Sequence, residues 1–223
     1  MFFVEGQMGP SEFRQMLGAV AVGIQLEEPR LNALDAALGD GDHGISMRIG
    51  FQAVAGRLEQ LESNAHIDQV LRESGMAFMG ATGGAIGVVF GRMLVEAGNA
   101  LKGVDRFGVP GLRMLLSAME TSAAAGGKVK VGDKTILDAV YAASRSVESE
   151  QTEANLAEML ALAASAADAA ARATAQMVCR VGRASRLGER TLGHPDPGAV
   201  SFSIILHLMS AWMAHKKHLS DYE

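Results

Sequence analysis

The sequence predicts an all-α fold, on three observations. Apolar residues make up 48% of the 223 positions and aromatics only 5%, so Ala, Leu, Val and Met carry the apolar load, as they do in packed helices. Only five prolines occur, two of them within HPDPG, and long segments are therefore free of helix breakers. Across those segments apolar residues recur near every third or fourth position, the period of a helix with one buried face.

The elements follow in chain order. Residues 11–26 set Phe13, Met16, Leu17, Val20, Val22 and Ile24 on a largely 3.6-residue period, with Ser11 placed to cap the first turn. A helix ends near Asp35, and residues 48–61, 67–78, 85–101, 111–125 and 135–147 repeat the pattern. Residues 154–178 form an alanine-rich segment of high helix propensity throughout. Residues 199–216 are apolar nearly all round and are expected at the centre of the bundle. Glycine marks the connectors at 39–44, 80–87, 103–110, 126–132 and 188–198. No repeat, low-complexity linker or composition break divides the chain, so residues 1–223 are expected to form one domain.

Composition also removes classes of function. The formal net charge is -5 and no long run of Lys or Arg occurs, so no electrostatic footprint for nucleic acid is present. Cys179 is the only cysteine, which excludes an internal disulfide. The opening MFFVEGQMGP lacks the basic n-region and long apolar core of a signal peptide, and the apolar run at 202–213 is short and carries His207. A cytoplasmic protein without a membrane span is the expectation.

The chemistry concentrates in the connectors. LDAALGDGDHGISM, residues 34–47, crowds Asp35, Asp40 and Asp42 onto a bend that Gly39, Gly41 and Gly44 make pliable. Three carboxylates so close repel one another unless protonated or neutralised by cations, and hard oxygen ligands select Mg2+, Ca2+ or Mn2+. A solvated turn of ordinary Asp and Gly residues has the same spacing. A calcium loop of EF-hand type does not fit, because Ser46 occupies the position where that loop requires glutamate. Magnesium held by few protein carboxylates keeps positions open for phosphate oxygens, which makes a phosphate cradle the next thing to look for.

GATGGAIG, residues 80–87, places glycine before an apolar helix, an arrangement that aims backbone N–H groups at an anion or, equally, lets helices approach closely. It is not a Walker A loop, since no Gly-Lys-Ser/Thr follows. VGDKTILDAV, residues 131–140, offers Asp133 as an N-cap with Asp138 one turn further in. GRASRLGERTLGHPDPGAVS, residues 182–201, brings Arg183, Arg186 and Arg190 beside Asp196, either as a guanidinium cluster for polyphosphate or carboxylate, or as a solvated loop of local ion pairs. Near the C-terminus His215 and His218 have the spacing of a metal pair and equally that of a solvated helix end.

In this order, LDAALGDGDHG, GMAFMGATGGAIG, GDKTILD and GRASRLGERTLGHPDPGA closely resemble the L subunit of dihydroxyacetone kinase, the nucleotide-binding half of that kinase family, over nearly the whole chain. The resemblance implies an eight-helix antiparallel barrel with ADP or ATP held at its open end through two Mg2+ ions. Matched by motif, Asp35, Asp40 and Asp42 are the magnesium ligands at the catalytic centre, and His43, Gly44, Ile45 and Ser46 continue from them along the nucleotide. Gly84, Ala85 and Ile86 fall on the glycine loop near the phosphates, Gly127 on the turn before GDKT, and Ile136 against the adenine side. Arg183 and the run Asp196, Pro197, Gly198 match the C-terminal contacts.

The chain departs from the family pattern at three of these places. The glycine loop commonly reads Gly-Gly-Ala-Ser-Gly, and Ile86 replaces the serine whose hydroxyl would bond a phosphate, a loss of about 1 kcal/mol. Ser46 replaces a frequent asparagine and Arg186 a frequent tyrosine, so the ketose need not be dihydroxyacetone itself. The resemblance further implies a separate K-type subunit that holds a short ketose covalently on a histidine, without which this chain is expected to be inactive. The implied phosphoryl donor is either exchanging ATP or a phosphocarrier of the phosphotransferase system that recharges bound ADP, and a homodimer is expected. A nucleotide-state sensor that binds a transcription regulator is the alternative use.

Overall fold

The computed structural model describes residues 6–125, 128–150 and 154–220, with side chains to residue 216. α1 (Pro10–Leu26) opens on Pro10, whose fixed φ suits a first turn. The cap is Gly9 rather than the expected Ser11, because the Glu12 carboxylate reaches back to accept the Gly9 N–H at 2.7 Å. Pro29 then interrupts the hydrogen-bond ladder and begins a short second helix, α2 (Glu28–Ala36), which brings Asp35 to its last turn.

Seven further helices follow: α3 (His43–Gln60), α4 (Ile67–Ala81), α5 (Gly84–Ala100), α6 (Val109–Ala123), α7 (Ile136–Ser149), α8 (Leu156–Ala173) and α9 (Pro197–Ser220). Among the described residues the only β-type pairing is an isolated antiparallel bridge between Met8 and Phe107. α1 and α3 to α9 each pack against the next in chain order, and α9 returns to pack against α1. Eight helices thus close into a ring, and the starts of every second one, α3, α5, α7 and α9, gather at one end, as in an antiparallel bundle. One end is sealed: Met8 and Phe107 exchange backbone bonds of 2.9 and 2.8 Å, and the Lys216 ammonium at the far end of α9 meets the Glu12 carboxylate at the start of α1.

Side chains fill the ring, each buried Leu, Ile, Val, Phe or Met contributing about 1.5–3 kcal/mol by removal from water. A line of aromatic contacts runs through the core from Phe51 to Phe78 (5.4 Å between ring centres), on to Phe90 (5.9 Å) and then to the His43 ring (6.5 Å). The α4–α5 pair is packed closely enough that only glycine fits at Gly75, where an added Cβ would lie 2.5 Å from the Gly91 carbonyl oxygen.

Two further sequence expectations need correction. α8 stops at Ala173, five residues short, because the Thr174 hydroxyl turns back to the Ala171 carbonyl at 2.5 Å and accepts the Asp196 N–H at 2.8 Å. A 3-10 segment, Arg183–Thr191, kinked at Gly188, occupies part of the chain beyond. α9 is central only through its first half: buried side chains run from Ala199 to Met209, while His207, Ala211, Ala214 and His215 face outward. By length and composition this helix is apolar enough to cross a membrane, but its most apolar turns are the bundle core.

Candidate functional site

Alternate helices of an antiparallel ring begin at the same end. The starts of α3, α5, α7 and α9 meet at the end opposite the Met8–Phe107 seal and line a cavity of about 570 Å3. The first turn of each helix leaves backbone N–H groups without helical partners and carries a partial positive charge. Four such turns facing one space make a site for anions, phosphate above all.

Facing these donors is the acidic cluster. Asp35 comes from the last turn of α2, Asp40 and Asp42 from the turn into α3, and one carboxylate oxygen from each lies within 4.8 Å of the others. The turn is held by Asp35 itself, whose Oδ2 accepts the N–H of Gly41 at 2.9 Å and of Asp42 at 3.0 Å. The Asp40 carboxyl sits below its ordinary pKa because its own backbone N–H donates to it and the Arg183 guanidinium pairs with it. The Asp42 carboxyl sits above its ordinary pKa, first through burial and then through the charges of Asp40 and Asp35. Three converging carboxylates are a hard-oxygen donor set, and their mutual repulsion is what a divalent cation relieves, so the residues present fit Mg2+.

The glycine turn into α5 faces them across the cavity. Gly83 caps the helix in extended backbone, and Gly84 has φ +71°, a conformation that favours glycine. A Cβ added at either glycine would meet nothing within 4 Å, so the backbone is open to a ligand. Ala85 and Ile86 complete the turn, with Ile86 packed partly on the core and partly lining the cavity. Thr82 lies off the cavity, and its Oγ1 is buried without a hydrogen-bond partner among the described residues, so it does not replace the missing serine hydroxyl.

His43 and Ser46 line the cavity from α3. The His43 Nε2 lies 2.7 Å from the Ser201 hydroxyl of α9, and burial lowers its pKa to about 4, which keeps the ring neutral. Gly44 and Ile45 are off the cavity wall. A Cβ at Gly44 would lie 2.2 Å from the Glu28 carbonyl oxygen, so its glycine permits the close approach of α2 and α3. The Ile45 N–H is taken by the Asn32 side chain at 3.1 Å. Gly127 and the side chain of His218 lie outside the described residues.

At α7 the cap is Thr135, not Asp133. The Thr135 hydroxyl accepts the Leu137 N–H at 3.2 Å while Asp138 accepts the Thr135 N–H at 2.8 Å, a reciprocal capping box. Asp133 instead accepts the Lys130 N–H at 2.8 Å within the preceding turn. Ile136 lines the cavity with its neighbours Val129 and Ala123, an apolar flank suited to a flat base. From the C-terminal segment come Arg183, Asp196, Pro197 and Gly198; Arg186 and Arg190 are exposed and off the cavity, so only one of the three arginines belongs to it. Asp196 caps α9 by accepting the Ala199 N–H at 2.7 Å, and burial, reinforced by the Asp138 charge, raises its pKa to about 7.

Several wall residues carry no local sequence signal. Phe90 forms part of the wall as the link between Phe78 and His43 in the aromatic line, and Cys179 lines the wall with its thiol pKa pushed up by burial. Lys134 also lines the cavity, with its ammonium turned to carbonyls 43 to 60 residues away in sequence.

Residues 37–211 match the DAK2 domain, a match that takes in Asp40 and Asp42, the glycine turn and the capped start of α9 and begins two residues after Asp35. The chain belongs to the DAK2 domain family. It is 32% identical over 203 residues to a protein of Listeria innocua named PEP-dependent dihydroxyacetone kinase 2, ADP-binding subunit DhaL, covering 91% of this chain and 94% of that one. The PEP-dependent dihydroxyacetone kinase ADP-binding subunit DhaL of Escherichia coli is 34% identical over 186 residues, 82% of this chain and 88% of that one. The DAK2 barrel also superposes on the crystal structure of the dihydroxyacetone kinase from C. freundii in complex with AMP-PNP and Mg2+. The TM-score is 0.67 at 24% identity, over 95% of this chain and 36% of that longer one, a likeness of fold. The relatives are named as kinases or kinase subunits, so the DAK2 domain here belongs to a family of phosphotransferases.

Proposed function

We propose that this DAK2 chain is the nucleotide-binding subunit of a two-component ketose kinase, working with a K-type subunit that carries a short ketose. The observation that carries the reading is the meeting of four helix N-termini with three carboxylates across one cavity. Donors for phosphate oxygens and ligands for a hard cation are what a magnesium nucleotide needs on opposite sides of its phosphate chain. The names of the two DhaL relatives, each matched over most of its own length, support ADP as the nucleotide and a PEP-dependent donor system.

In this reading Asp35, Asp40 and Asp42 hold two Mg2+ ions, with Asp35 locked in place by the Gly41 and Asp42 amides. Bound Mg2+ supplies charge neutralisation along the phosphates and fixes the orientation of the transferred group. The amides at the start of α5 face the phosphate oxygens, and the Arg183 guanidinium, now paired with Asp40, stands within the same wall. Neutral His43 presents a polar ring without adding a charge. Ile136 and the apolar side chains around it exclude water from the base. The chain then needs no base of its own, because positioning and charge neutralisation carry phosphoryl transfer.

The test is to purify the chain, dialyse it extensively against Mg2+ buffer, denature it, and identify and count released nucleotide. Near-stoichiometric ADP is the expected result and places the chain with subunits recharged in situ. Protein that emerges empty and then binds ATP only with Mg2+ identifies an exchanging kinase subunit instead. Protein that binds neither nucleotide rejects the reading.

A further inference from the structure

The wall formed by residues 178–193 contributes Cys179, Val181, Arg183 and Ala184 to the cavity, yet its only regular structure is a 3-10 segment broken at Gly188. Lys134 holds it from beneath. The side chain is 1% exposed, and its backbone has φ +62°, a region that residues other than glycine rarely enter. From there the ammonium donates to the carbonyls of Met177 at 3.1 Å, Thr191 at 2.6 Å and His194 at 2.6 Å. An ammonium has three donors, and all three are used. Although Lys134 lines the cavity, its ammonium is committed to these three carbonyls.

The three carbonyls bracket the wall, one before it and two at its far end, so a single charge gathers both ends of the segment. A backbone bond from the Arg180 N–H to the Asp133 carbonyl, 3.1 Å, adds a second tie beside the first. Burial lowers the ammonium pKa, and the carboxylate of Asp196 opposes that shift. At the outer edge of the same segment Arg183 reaches across to Asp40.

We propose that Lys134 is a positioning residue that sets how long nucleotide stays bound: its ammonium fastens the 178–193 wall to the start of α7, and a bound nucleoside diphosphate leaves when that fastening opens. The inference rests on the reading of the cavity as a magnesium-nucleotide site. Removing the ammonium leaves three carbonyls without their donor and frees the wall that carries Arg183.

The experiment measures release of a fluorescent ADP analogue, chased with excess ADP in Mg2+, from wild-type, Lys134→Met and Lys134→Gln protein of equal helix content. Release is expected to quicken by about tenfold or more in Lys134→Met and by less in Lys134→Gln, which keeps two N–H donors, while association changes little. A folded Lys134→Met that releases at the wild-type rate overturns the inference alone. Wild-type protein that binds no ADP with Mg2+ overturns the nucleotide reading and the inference together. Should both variants fail to fold, amide hydrogen exchange in wild-type protein decides. Mg-ADP is expected to slow exchange by about tenfold at Gly193, which lies off the cavity and donates its N–H to the Ala175 carbonyl at 2.7 Å, because nucleotide and fastening must stabilise each other reciprocally. Equal exchange at Gly193 with and without nucleotide overturns the inference.

Discussion

Asp196 joins two jobs in one carboxyl: it caps α9 and it faces the cavity. Its folded pKa of about 7 lies above the ordinary carboxylate value of 3.8, so between those values the folded chain holds the extra proton and stability falls as pH rises. His43 acts in the opposite sense. Its folded pKa of about 4 lies below 6.5, so its contribution is lost as pH falls through that window. Comparing Asp196→Asn with wild type cancels the histidine, and asparagine keeps an oxygen for the Ala199 amide. In urea melts with EDTA the variant is expected to gain about 2 kcal/mol or more relative to wild type between pH 4 and pH 8. A difference that does not change with pH rejects the assignment of the raised pKa. Ile86 tests the glycine turn at the same scale. Ile86→Ser is expected to tighten Mg-ADP binding about fivefold through a phosphate hydrogen bond, while costing about 2 kcal/mol of stability from the lost apolar contact. Unchanged affinity in calorimetry would put the phosphates beyond reach of residue 86.

The α4–α5 pair shows how elements deliver the site. Gly75 and Gly91 let two helices approach until backbone meets side chain, and that approach fixes where the start of α5 presents Gly84 to Ile86. Gly75→Ala must push α5 outward, since the added methyl meets the Gly91 carbonyl and the Val95 backbone rather than a flexible side-chain end. A loss of about 2–3 kcal/mol in denaturant melts is expected, with weaker Mg-ADP binding in the protein that remains folded. Wild-type stability in this variant would mean that the pair is looser than its geometry. At this scale the sequence was legible wherever the cause was local. The helical period located the helices of the ring, and the clustering of aspartate with glycine located the acidic turn. It failed where the cause was remote: α8 ends early because Thr174 serves Asp196, and α9 loses its buried surroundings beyond Met209. Asp133 looked like a cap because Asp caps often do, but the reciprocal bonds of Thr135 and Asp138 won. A lysine in a polar turn reads as solvated, and nothing near Lys134 in sequence announces the three distant carbonyls that bury it.

For the whole molecule, the ring places four helix starts and the acidic turn on separate elements that meet at one end. Nucleotide binding must therefore tie α2, α3, α5, α7 and α9 together, and the energy of binding is added to the energy of folding. Ligand at a hundred times its dissociation constant contributes about 2.7 kcal/mol, provided that it binds the folded chain alone. In a chain of this length about 1 kcal/mol moves the melting temperature by roughly 2–4 °C. Mg-ADP at that excess is thus expected to raise Tm by about 5–11 °C, and EDTA is expected to cancel most of the rise. Asp35→Asn separates the causes. It keeps one oxygen for the Gly41 and Asp42 amides, so far-UV circular dichroism should match wild type, but it removes a negative charge from the acidic cluster proposed to hold Mg2+, and the Mg-ADP shift should vanish. A rise in Tm that survives in Asp35→Asn would show that the phosphates are held by the helix starts alone and that the carboxylates serve only to build the turn.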